Sequence, residues 1–317
     1  MKKNPSNWFY YGLVFAAWAV YMLFTLASPE QSSSQVKLSP IAILALRATL
    51  LVPYMLTWLV AVTGWYYFHM FATDAKRKHL ANHYAFRFIS RGLGLLIFDL
   101  VGVPMISAAR TFWAQNLQAA EWLTIISNYF HIIIPLLAFS YLYVGTRKLV
   151  LSSHYAASLK NNILPSLIAT TIFISFFSIA LFGNTSRQMI SETGRFASYY
   201  VSDTLIVLTI IIPLSITWLL GIQAALNTER YVHSLTLIWR SAFIRFFHGL
   251  LAIIGSSIIL QGITAFGSEQ LQQVNLLLIL LVIYMFIIIQ AVGYLLIRSS
   301  AKQLHKLLLA GVAHEAH

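Results

Sequence analysis

Long apolar stretches recur along nearly the whole chain, separated by short polar segments, and neither the period of amphipathic soluble helices nor strand-like alternation governs them. Eight stretches are long enough to cross a bilayer as helices: 8–28, 41–70, 91–113, 121–145, 163–183, 203–226, 243–266 and 273–297. In hydrocarbon every backbone polar group must be bonded within the protein, so runs of this length predict helices and not an open sheet or a barrel. The expected fold class is therefore all-α: a polytopic integral membrane protein of eight transmembrane helices. The first stretch, after Met1-Lys2-Lys3 and ending near Thr25-Leu26-Ala27, has the outline of a signal peptide. Its apolar run is longer than such a core needs, so it is read as a span.

Two short patterns repeat in order. Pro53-x-x-x-Thr57-Trp58-Leu59 in the second span matches Pro213-x-x-x-Thr217-Trp218-Leu219 in the sixth. Ala138, Tyr141 and Leu142 in the fourth are echoed by Ala291, Tyr294 and Leu295 in the eighth. These matches predict two four-helix repeats, residues 1–158 and 159–298, followed by a tail at 299–317. Four crossings is an even number, so the copies should be parallel, related by a two-fold axis along the membrane normal. The paired prolines should bend their helices, with Thr57 and Thr217 placed to reach freed carbonyls.

Composition agrees: 59% of the 317 residues are hydrophobic and only 9% charged, far from the quarter that soluble domains carry. The net charge of +12 would suggest nucleic acid in a soluble protein, but here it must be sorted by side. With the N-terminus inside, only Lys37, Arg47, Arg110, Arg187 and Arg195 of the 21 basic residues fall outside, and Glu30, Glu121, Glu192, Asp203 and Glu269 balance them. Both termini are expected in the cytoplasm, with anionic lipid as partner of that face and no nucleic acid. Trp65, Tyr66, Tyr67 and Phe68 at the inner end, and Trp113 and Trp122 at the outer, are expected at headgroup level. Leu304, Leu307, Leu308 and Val312 near helical spacing suggest that the tail lies on the membrane as an interfacial helix.

Chemistry within the spans is sparse. The chain has no cysteine, which excludes disulfides, thiolate metal sites and cysteine nucleophiles. No phosphate loop, His-Glu-x-x-His or Gly-x-Ser-x-Gly is present. No cofactor is expected. Asn184-Thr185-Ser186 forms a glycosylation sequon that matters only in a secretory route.

Ionisable groups at depth are costly and mark function by default. Asp99 is the carboxylate well inside a span, and His131 the histidine. Gly92, Asp99, Gly102 and Arg110 share one face of the third span, while Thr124, Ser127, Asn128 and His131 share one of the fourth. In an antiparallel hairpin Arg110 could meet Glu121 at the outer rim and Asp99 could meet His131 roughly 15–17 Å below it. The candidate binding residues are therefore Asp99, His131, Asn128, Arg110, Arg47 and Glu121, with no catalytic or metal set. One expectation is a transporter or channel-like protein with a mid-bilayer site for a proton, ion or small polar solute. The other is a noncatalytic scaffold, accessory or sensor subunit that binds membrane proteins or its own copies, with the same polar groups serving as interhelical glue. An intramembrane enzyme or electron carrier is the third class.

Overall fold

A computed structural model describes residues 7–27, 40–80, 82–113, 116–152, 212–266 and 276–311. These residues fold into seven helices with no strand among them: α1 (Asn7–Ala27), α2 (Pro40–Arg77), α3 (His83–Phe112), α4 (Leu117–Leu151), α5 (Ile212–Val232), α6 (Leu237–Phe266) and α7 (Leu276–Leu309). Four segments within α3, α4, α6 and α7 are long and apolar enough to cross a membrane: His83–Arg110, Ile132–Leu151, Leu237–Ser256 and Tyr284–Leu309. The fifth expected span, 163–183, lies outside the described residues.

The helices overrun the apolar stretches, mostly at one end. α2 continues beyond residue 70 to Arg77, α3 begins at His83 instead of 91, and α7 runs unbroken past 297 to Leu309. At 1.5 Å per residue the 38 residues of α2 extend about 57 Å, well beyond a hydrocarbon layer of roughly 30 Å. In α2 and α7 hydropathy falls where lysine and arginine begin, yet those residues favour a helix C-terminus, so these two helices continue where the apolar run stops.

The overrunning ends gather together. Gly145 of α4 faces Ala85 and Ile89 of α3, Arg245 of α6 bonds Ser299 of α7 at 3.2 Å, and His305 of α7 meets Asp74 of α2 at 2.9 Å. Arg240 Nε bonds the Val232 carbonyl at the end of α5 at 3.3 Å. We call this the basic end. α2, α4, α5 and α7 finish there, whereas α3 and α6 start there.

Six helices close a ring: α2 packs on α3, α3 on α4, α4 on α5, α5 on α6, α6 on α7, and α7 back on α2. α1 lies against α2 and α3, with Trp18 Nε1 donating to the Leu51 carbonyl at 3.1 Å. Close approach within the hairpins depends on glycine. A Cβ at Gly92 would lie 2.7 Å from the Ala138 carbonyl oxygen, and one at Gly249 would lie 2.8 Å from that of Gly293.

Three sequence expectations change at this level. Leu304 and Leu308 are buried in the protein core and Leu307 packs against it; they face α2 and the ring, not lipid, because α7 never breaks to let the tail turn away. Thr57 and Thr217 bond carbonyls at 2.8 and 2.7 Å, but the acceptors are those of Pro53 and Pro213 themselves, one turn back. Phe68 is completely buried, and Trp65 donates from Nε1 to the Ser90 carbonyl of α3 at 3.0 Å, so these two serve the core. Trp113 and Trp122 are exposed.

Candidate functional site

Inside the ring, near the basic end, aromatic side chains fill the centre. Phe68 of α2 stacks on Phe246 of α6 with centroids 5.3 Å apart. Phe71 meets Phe86 of α3 at 4.7 Å, Phe86 meets Phe243 of α6 at 6.3 Å, and Phe243 meets Tyr231 of α5 at 5.2 Å. All are 0% exposed. Among the described residues, rings from α2, α3, α5 and α6 pack side by side at that level.

Farther from the basic end the ring becomes more polar on one side. Asp99 stands on α3, half-buried, with one carboxylate oxygen shielded from solvent. It lies within electrostatic reach of Tyr294 on α7, whose side chain is buried. One turn before Tyr294 on the same helix is Gln290, also buried. Sequence reading took Tyr294 as a marker of the repeat and passed over Gln290; the spacing of two polar residues four apart inside an apolar span was the available signal.

The face of α3 bearing Asp99 is the seam with α4. A Cβ on Gly92 would collide with Ala138 and Leu142, and one on Gly102 would come within 2.6 Å of Phe130. Phe98 also meets Phe130, at 5.1 Å. These contacts set Gly102 level with position 130 and Gly92 level with 138–142, so Asp99 falls level with about position 133, and position 131 lies two residues, about 3 Å, from that depth. The side chains of His131, Asn128, Glu121 and Arg47 lie outside the described residues, although their backbones belong to α4 and α2. Arg110 is exposed in the last turn of α3, far from the basic end.

The basic end has its own network. Asp74 holds Arg77 at 3.1 Å and His305 at 2.9 Å, and Lys78 Nζ donates to the Leu308 carbonyl, which also accepts from the Gly311 N–H at 3.3 Å where α7 ends. These contacts tie the last turns of α2 and α7 together. Among the described residues no three His, Asp or Glu side chains are grouped to hold a metal ion. No protein-family model, curated protein or solved structure matches this chain.

Proposed function

We propose that this chain is a small membrane transport protein, carrier-like or channel-like, whose polar site for a proton, an ion or a small polar solute centres on Asp99. The observation that carries the proposal is a carboxylate with a shielded oxygen inside an apolar span, within electrostatic reach of a buried tyrosine of α7. Such a group persists in a membrane core where it has a task or a firm partner. His131 and Asn128 supply further polar groups at comparable depth, with Arg110, Arg47 and Glu121 at the outer mouth.

The proposed architecture is eight spans in two parallel repeats, 1–158 and 159–298, ahead of the segment 299–317. Its support is the ring. Exchanging α2 with α5, α3 with α6 and α4 with α7 converts every pair of packed neighbours in the ring into another such pair. The buried faces correspond too: Ala85, Phe86, Ile89, Leu93, Leu96 and Ile97 have the spacing of Ala242, Phe243, Phe246, Leu250, Ile253 and Ile254. For α4 and α7 the buried faces align Ala138, Phe139 and Leu142 with Gly293, Tyr294 and Ile297, an alignment that pairs Tyr294 with Phe139 where the sequence pattern pairs it with Tyr141. α4 ends at the basic end and α5 begins at the opposite one, an arrangement that fits a further crossing in between. Basic residues favour the cytoplasmic side, which assigns the basic end and both termini to the cytoplasm.

On this reading the aromatic cluster is the closed inner barrier, and solute reaches Asp99 from outside. The same cluster, with the glycine seam beside Asp99, favours a second reading: a scaffold, accessory or sensor subunit whose polar groups only join helices, and which binds other membrane proteins or its own copies. Proteoliposomes loaded with a pH-sensitive dye distinguish the two. Transport predicts a proton-coupled or pH-dependent flux that Asp99→Asn abolishes while the protein stays folded, because the amide keeps hydrogen bonding and loses the charge. Absence of flux from wild-type protein across protons, alkali cations and small polar solutes overturns the transport reading in favour of the scaffold.

A further inference from the structure

We propose that the groove between α3 and α4 at the basic end binds an anionic phospholipid, with the phosphate held between Arg91 and Lys148 above the ring of Phe88. Lys148 Nζ lies 4.4 Å from the centroid of that ring, and Phe88 also packs on Tyr141 at 5.9 Å. Arg91 stands one turn from Phe88 on α3 and is exposed, as is Lys148. Side chains on a helix lean toward its N-terminus. Because α3 starts at the basic end and α4 finishes there, Arg91 leans toward that end and Lys148 away from it. The two cations therefore converge on the level of Phe88.

The groove exists because Gly145 lets the two backbones close on Ala85 and Ile89, leaving the flanking side chains as walls. Its chemistry continues as a phospholipid requires. Beyond Arg91 and Tyr141, away from the basic end, the exposed side chains are Phe98 on α3 and Leu137 and Ile133 on α4, an apolar track for an acyl chain. The carboxylates on these two helices are Asp99, two turns beyond Arg91, and Glu121, near the opposite end of α4. Asp74, on the neighbouring α2, is engaged by Arg77 and His305. A phosphate therefore meets two cations and an aromatic floor without an adjacent acid.

The matching groove between α6 and α7 is built otherwise. Arg245 occupies the place of Phe88 and bonds Ser299 at 3.2 Å, while Gln303 bonds Ser241 at 3.1 Å, so side chains clasp the seam from both helices. The lipid site belongs to the first hairpin alone, and it holds under either functional reading.

Native mass spectrometry of the full-length protein, titrated separately with phosphatidylglycerol, phosphatidylcholine of the same chains, and glycerol 1-phosphate, tests this. Wild-type protein should retain phosphatidylglycerol about twenty-five-fold more tightly than Arg91→Gln/Lys148→Gln does, given roughly a fivefold effect for each of the two cations at a membrane surface. Arg91→Lys/Lys148→Arg should keep the affinity, and Arg245→Gln, which removes one charge elsewhere on the same end, should leave it unchanged. Equal retention of the two lipids by wild-type protein, or effective competition by glycerol 1-phosphate, overturns the proposal without recourse to any variant. Equal binding by wild type and the double glutamine variant overturns it as well.

Discussion

Phe86 and Phe243 face each other with ring centroids 6.3 Å apart and planes inclined by 33°, and each occupies the same place in its own helix. An alanine precedes each one, a buried Ile89 or Phe246 follows three residues on, and Gly92 or Gly249 six residues on. A residue touches its own counterpart only close to a two-fold axis, so under the proposed duplication this contact marks where the axis runs. Phe86→Ala and Phe243→Ala should each lower stability by about 3 kcal/mol, the cost of removing a fully buried ring. The double variant should cost less than the two together, because both truncations open one shared cavity. Unfolding of the three variants in mixed micelles measures this, and strict additivity would separate the two rings.

Glycine substitutions should sort by what lies over them. Gly92→Ala and Gly249→Ala place a methyl group against backbone carbonyls at 2.7 and 2.8 Å, which cannot yield as a flexible side chain does. Each should destabilise by about 1–3 kcal/mol. Gly12 and Gly255 have nothing within 4 Å, so alanine there should be neutral or stabilising by up to about 1 kcal/mol through helix propensity. Thermal unfolding of the four variants in one detergent compares them directly.

The helices were legible because a bilayer demands long apolar runs and the described chain supplies them. Their ends were less so: Arg77, His83 and Leu309 lie beyond the point where hydropathy falls, and the contacts of Asp74, Lys78 and His305, with the basic residues of the last turns, hold the ends of α2 and α7. Spacing on one helix groups Gly92, Asp99, Gly102 and Arg110, since a single helix fixes its own faces, and of these Gly92 and Gly102 lie against α4. It could not reveal which helix would bring Tyr294 toward Asp99, because that depends on α7 closing the ring against α2. Phe68 was assigned to the interface by its neighbours Tyr66 and Tyr67, yet its own face turns inward. Aromatic belts and aromatic cores have the same composition, and packing alone separates them.

The turn from α2 to α3 contains a strained residue. His79 has φ of 54°, in the left-handed region, while its N–H bonds the Lys76 carbonyl at 3.2 Å and that of Leu80 bonds the Ala75 carbonyl at 3.0 Å. This is the double-bonded helix ending that glycine normally occupies, with Leu80 packed against the core near buried Ala75. His79→Gly should therefore raise stability by about 1 kcal/mol, by relieving the clash between Cβ and the following carbonyl. His79→Val should lower it, since a branched Cβ tolerates this conformation least. A rise for valine would mean that the turn adopts another backbone conformation.

The sidedness of the chain can be read without first altering it, because it contains no cysteine and each introduced thiol is the sole target of a maleimide. The proposed topology places Ser32 and Gln188 outside, and Lys76, Ser152 and the C-terminal residues inside. In intact cells a membrane-impermeant maleimide should therefore label Ser32→Cys and Gln188→Cys, but label Lys76→Cys and Ser152→Cys only after permeabilisation. The two external positions test different links. Ser32 follows α1, so its failure would reverse the first hairpin and with it the sign of the charge rule. Gln188 follows the stretch 163–183, so labelling from the cytoplasmic side would mean that this stretch does not cross. α5 would then need another route to its start at the end of the bundle opposite the basic residues, and the parallel two-repeat architecture would fail with it, even if the six-helix ring stood.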